Sequence, residues 1–146
     1  MKILVDADAC PVIPEIIDSA REFALAVTLV SNYCHEMEKY EGVTSVVVDK
    51  EPDAVDLAVA NLAQRGDIVV TQDYGLAALV LGKGARALSP RGRIFGDNNI
   101  ETLLHKRHVS RKERRRGVRT RGPRAMTAED RRKFVRNLRA LIQEKQ

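Results

Sequence analysis

The chain has no tryptophan and only two cysteines, Cys10 and Cys34, among its 146 residues. Two thiols cannot build the disulfide framework of a small secreted domain, which points to a reducing compartment. No apolar run approaches the ~18 residues that suggest a membrane span. The opening "MKILVDADACPV" meets acids after three apolar residues, so it does not read as a secretory leader and a cytoplasmic location is expected. Aromatic residues make up 4%, which leaves little for base stacking; any nucleic-acid contact would go mostly to phosphates. No repeat recurs at 20–50 residues, which removes solenoid architectures.

What is present is charge, unevenly placed. Residues 1–104 carry 9 Lys+Arg against 16 Asp+Glu, a balance of −7, whereas residues 105–146 carry 16 against 4, a balance of +12. Such a basic tail on an acidic body suits a polyanionic partner, because each phosphate neutralised releases counterions. A merely solvated charged helix is the plainer explanation.

Hydrophobic patterning gives the order of elements. Residues 2–5, 26–32, 44–49 and 68–71 read as strands, and 85–88 as a candidate edge strand. Between them, helices are expected after Pro11 or Pro14, from residue 52 to 65 with Gly66 closing it, and over 74–84. Residues 89–98, "SPRGRIFGDN", read as a turn-rich loop. The segment 127–145 shows a capping box, Thr127 with Asp130, and an apolar stripe of Phe134, Leu138, Leu141 and Ile142. Strands alternating with helices predict a mainly parallel sheet in an α/β domain.

Ligands of such sheets bind beyond the carboxyl ends of the strands. The residues placed there are Asp6 and Asp8, then Ser31 and Asn32, then Thr71 and Asp73. Asp53 and Asp56 share the first turn of the helix preceding the strand that leads to Asp73. Asp8 and Asp53 also suit helix N-termini, so capping competes with a site role for these two. Carboxylates without Cys or His suit a hard cation, Mg²⁺ or Mn²⁺, which activates water and offsets phosphoryl charge.

"VDADACPV" (5–12), "VSN" (30–32), "GDIVVTQDYGLAALVLGKGA" (66–85), "LSPRG" (88–92) and "RGPRAMTAEDRRKFVRNL" (121–138) together resemble the YaiI/YqxD family over nearly the whole chain. The resemblance implies a PIN-like three-layer fold over residues 1–108, similar to metal-dependent ribonuclease domains. A basic extension, 109–146, follows, with a helix docking on the body. Carried over by position, the PIN-like acids fall on Asp6, Asp56 and Asp73 as catalytic ligands, with Asp8 and Asp53 auxiliary at the metal. Asn32 or Thr71 would orient a ligand or water, and Arg111, Arg114, Arg115 and Arg116 would position an RNA strand. The wider PIN pattern has a glutamate before Asp56; Glu15, Glu36 and Glu38 offer no clear counterpart, and Asp97 is a further acid in a turn.

Two other functions stay open. An aspartate phosphatase would use Asp6 and Asp8 with Ser31, Lys83 and Asp73, although "AC" stands where that class has Gly-Thr. A non-catalytic RNA- or ribosome-binding protein would use only the basic tail. His105 and His108 lack the neighbours of a metal site, Cys34 beside His35 lacks an orienting group, and "GKG" (82–84) lacks phosphate-loop spacing.

Overall fold

Six short runs of β-branched and aliphatic residues form one sheet in this computed structural model, which describes residues 1–32, 40–51, 53–96, 99–105 and 125–144. The strands are β1 (Lys2–Asp6), β2 (Ala26–Ser31), β3 (Val43–Val47), β4 (Ile68–Val70), β5 (Arg86–Leu88) and β6 (Ile94–Phe95). Their spatial order is β3-β2-β1-β4-β5-β6, with every pairing parallel except β5 with β6. The helices are α1 (Ile13–Glu22), α2 (Ala54–Leu62), α3 (Tyr74–Gly82) and α4 (Ala128–Gln143), with further helical turns over 100–105.

Alternation along the central strands explains the layers. Ile3 and Val5 of β1 point with Val27, Leu29, Ile68 and Val70 toward α1 and α4. Leu4, Val30 and Val69 point the other way, toward α2, α3 and residues 100–105. Both faces are covered, so the strands carry almost unbroken apolar sequence. The predicted stripe of α4 lies in the first core: Phe134 and Leu138 are fully buried, Leu141 is nearly so, and Ile142 packs partly against them.

Several expected boundaries shift for local reasons. Residues 86–88 are not an edge strand, because β6 emerges from the stretch read as a loop and pairs antiparallel beyond it. Helix α2 stops at Leu62 rather than running to Arg65. Beyond it the Asp67 carboxylate accepts from the Gln64 amide at 2.9 Å, and Gly66 takes a φ of +88° that completes the turn. The capping box of α4 forms as read, with Thr127 accepting from the Asp130 amide and Asp130 from the Thr127 amide, each at 3.1 Å.

Strand order fixes where a ligand belongs. From β1 the chain leaves through α1 to β2 on one side, while from β4 it leaves through α3 to β5 on the other, and the two helices cover opposite faces. The carboxyl ends of β1 and β4 therefore flank a topological switch point, where open parallel sheets form a crevice.

Candidate active site

Asp6 ends β1 on the same side of the strand as Leu4, the side that α2 covers. Its Oδ2 accepts from the Thr71 hydroxyl at 3.2 Å, and Thr71 Oγ1 in turn accepts from the Asp73 amide at 3.0 Å. Thr71 is 1% exposed. It is therefore a brace between the two strand ends, behind the carboxylates rather than facing a ligand.

Asp73 is the N-cap of α3, its Oδ1 accepting from the Leu76 amide at 3.0 Å. For Asp8 and Asp53, where capping competed with a site role, no capping bond forms. Asp8 lies in the turn Ala7–Ala9, and its Oδ2 accepts from the Asn32 amide at 2.9 Å, tying the end of β1 to that of β2; α1 is capped by no side chain. Asp53 occupies the N-cap position of α2 but its side chain makes no capping bond, and its φ of +67° is left-handed. Such a conformation is uncommon outside glycine, though Asp tolerates it better than most residues.

Asp56, in the first turn of α2, faces this group. Burial pushes its pKa up from 3.8 to about 6, and the negative charges of Asp73, Asp6 and Asp53 and a hydrogen bond with Asp73 add to the rise. Asp6 is raised as well, first by burial, with the Thr71 hydroxyl opposing and the charges of Asp8 and Asp73 reinforcing. Two carboxylates can share a hydrogen bond only with a proton between them. The N-termini of α2 and α3 also point here, and their dipoles favour negative charge.

The donor chemistry, all carboxylate and amide oxygen, fits a hard divalent cation. Among the described residues, however, no three Asp, Glu, His or Cys side chains are placed together so that they could hold a metal ion. Asp6 and Asp73 each commit an oxygen to the protein. Asn32 contributes a buried Oδ1 with no hydrogen-bond partner among the described residues.

Other predicted participants lie elsewhere. Lys83 follows the last turn of α3, at the opposite end of the sheet from Asp6, and donates to the Ala60 carbonyl, which removes the lysine an aspartate phosphatase would need. Cys10 is held as a thiol, its pKa pushed up to about 11 by burial first and then by Asp6 and Glu15, against a backbone hydrogen bond. Cys34, His35, Glu36, Glu38, Asp97, His108, Arg111, Arg114, Arg115 and Arg116 lie outside the described residues.

Sequence reasoning missed a second feature beside the acids. Gln72 and Tyr74, which bracket Asp73, line a cavity of about 270 Å³ together with Arg91, Arg93 and Lys133. Its signal was legible only in part: "SPRGR" (89–93) places two arginines just after a strand, but nothing local shows that α4 packs over them.

The chain matches the family described as "Uncharacterized BCR, YaiI/YqxD family" over residues 4–144. It is 45% identical to a UPF0178 protein of Halalkalibacterium halodurans over 97% of this chain and 90% of that one. A UPF0178 protein of Bacillus cytotoxicus is 42% identical over 97% and 92% of the two chains, and one of Ruminiclostridium cellulolyticum 50% identical over 82% and 78%. No solved structure matches. With matches of this extent, the chain belongs to the YaiI/YqxD family.

Proposed function

We propose that the chain is a PIN-like, divalent-metal-dependent nuclease that hydrolyses phosphodiester bonds of RNA at the carboxylates of Asp6, Asp56 and Asp73. The observation that carries this reading is the gathering of Asp6, Asp56 and Asp73 at the switch point between β1 and β4, where burial first and the neighbouring negative charges next raise the pKa values of Asp6 and Asp56. Repulsion between the gathered acids works against the fold. Groups with perturbed pKa values gathered in a crevice are the usual mark of chemistry rather than of packing.

Asp6, Asp56 and Asp73 would hold Mg²⁺ or Mn²⁺, with Asp8 and Asp53 shaping the field around it. The bound ion supplies activation of water and neutralisation of phosphoryl charge. Thr71 fixes the Asp6 carboxylate, and its bond to the Asp73 amide sets the spacing of the two. Asp56, with a pKa near 6, exchanges a proton close to neutral pH. Asn32 Oδ1, which has no hydrogen-bond partner among the described residues, lies beside Asp8 and suits a water or sugar hydroxyl. Arg111, Arg114, Arg115 and Arg116 supply a basic segment for the strand.

Calorimetric titration of Mn²⁺ into the wild type, Asp6→Asn and Asp73→Asn tests the site. Asn serves as an N-cap as well as Asp does, so the second substitution keeps α3 capped while removing a charge. Each variant is expected to lose more affinity than the ~10–100-fold typical of groups that merely orient ligands, and to lose Mn²⁺-dependent cleavage of single-stranded RNA. Absence of Mn²⁺ binding in the wild type, with RNA present, would leave the chain an RNA-binding protein without catalysis.

A further inference from the structure

The loop that supplies Asp73 has a second wall. Beyond Gln72 and Tyr74 lies the cavity of about 270 Å³ closed by the β5–β6 turn and the first turns of α4. This is slightly under the ~300–1,000 Å³ of pockets for drug-sized ligands, and it is large enough for a phosphate group with its hydration water.

Its charge is opposite to that of the neighbouring acids. Arg91 is neutralised by Asp130 at 3.1 Å, but among the described residues Arg93 and Lys133 have no ion-pair partner, and both are exposed at the cavity. Ser89 Oγ accepts from the Arg93 amide at 3.0 Å, which leaves the hydroxyl proton to be donated. Two cations and a hydroxyl around a small space are the donors that an anionic oxygen needs.

The walls are built rather than adventitious. Gly92 has a φ of +92° and lies so close to α4 that a Cβ there would meet Phe134 N at 2.8 Å and the Lys133 carbonyl carbon at 2.9 Å. Its carbonyl accepts from Asn137 Nδ2 at 2.5 Å, and the Ala125 carbonyl accepts from Arg91 at 3.4 Å. Turn and helix are thereby locked together, which fixes the spacing of Arg93 and Lys133 on either side of the cavity.

We infer that the pocket between the β5–β6 turn and α4 is a phosphate subsite, in which Arg93, Lys133 and Ser89 hold a backbone phosphate of a single-stranded RNA adjacent to the one presented to the acidic cluster. The inference rests on the proposed hydrolysis only for the identity of the strand. A crevice of five carboxylates repels a polyanion, and a fixed pair of cations one loop away offsets that repulsion and sets the direction in which the strand enters. The chemistry is electrostatic, so it reads backbone and not sequence.

The test is anisotropy of a fluorescein-labelled oligouridylate with the full chain in EDTA, where cleavage cannot intervene. Three proteins are compared: wild type, an Arg93→Ala/Lys133→Ala double variant, and an Arg132→Ala/Arg136→Ala double variant that removes the same charge from the outer face of α4. Equal melting temperatures show that all three are folded, and Lys133→Arg serves as a charge-preserving check. The pocket variant is expected to bind about tenfold more weakly and to show a shallower salt dependence, the outer-face variant to stay within about twofold of wild type, and Lys133→Arg to retain binding. Equal losses in the two double variants would overturn the subsite in favour of undirected charge, and no binding by the wild type would overturn it outright. Because the readout needs neither metal nor carboxylates, its failure is separable from failure of the hydrolytic reading, which Mn²⁺ titration decides.

Discussion

Asp56 is a group whose folded environment opposes its charge. Its pKa, pushed up to about 6 from an ordinary 3.8, means that the folded chain binds a proton more tightly than the unfolded one between these values. Stability from this group is therefore full below about pH 4, falls as pH rises toward 6, and stays low above it. Asp56→Asn is expected to raise the melting temperature at pH 8 and to leave it nearly unchanged at pH 4, while abolishing Mn²⁺ binding; thermal unfolding of both proteins at the two pH values checks it. Cys10 behaves in the same direction: a thiol with a pKa of about 11 is expected to react slowly with iodoacetamide at pH 8 in the native state and readily in urea. Asp67 shows the reverse balance, since burial works to raise it but the Lys2 ammonium and the Gln64 and Lys2 amides outweigh burial and hold it low. Lys2 Nζ lies 2.6 Å from its Oδ2 at the end of the sheet away from the acids. Asp67→Ala is expected to cost about 2 kcal/mol by chemical denaturation, with Mn²⁺ binding retained.

Among the elements, α4 depends most on contacts distant in sequence. Phe134 is fully buried against β1, β4 and α1, and Phe134→Ala is expected to cost about 3–5 kcal/mol. Gly92→Ala would drive a Cβ into the backbone of α4 and force a left-handed φ on a non-glycine residue, costing about 2 kcal/mol or more. Both are read by urea midpoints, and the second should also weaken RNA binding because the turn carries Arg93. The α4 helix was legible in its capping box and stripe, since both are local codes of spacing three and four. Strand β6 was not, because two residues carry no periodicity and exist as a strand only by pairing with β5. Likewise the cap on α3 was missed: "TQDY" reads equally as a ligand following a strand and as an N-cap, and the structure shows the N-cap.

At the scale of the molecule, among the described residues no helix is long and apolar enough to cross a membrane. Charge and strand order act together there. The uneven charge, −7 over residues 1–104 and +12 over 105–146, predicts an RNA affinity that falls steeply with salt whether or not metal is present. The amino-acid sequence by itself determined the alternation of strands and helices, the buried aliphatic runs and the acids at the strand ends, because these follow from hydrophobic period and local turn chemistry. It also determined the family, through motifs spread over almost the entire chain. Only the tertiary structure decided the order β3-β2-β1-β4-β5-β6, and with it the meeting of Asp6 and Asp73 across two strands separated by more than sixty residues. It alone brought Lys133 over the turn of Arg93, and made Asp73 a cap and Thr71 a brace. Side chains far apart along the chain meet through packing and strand pairing, whose free energy belongs to the assembled core and leaves no local trace in the residues it joins.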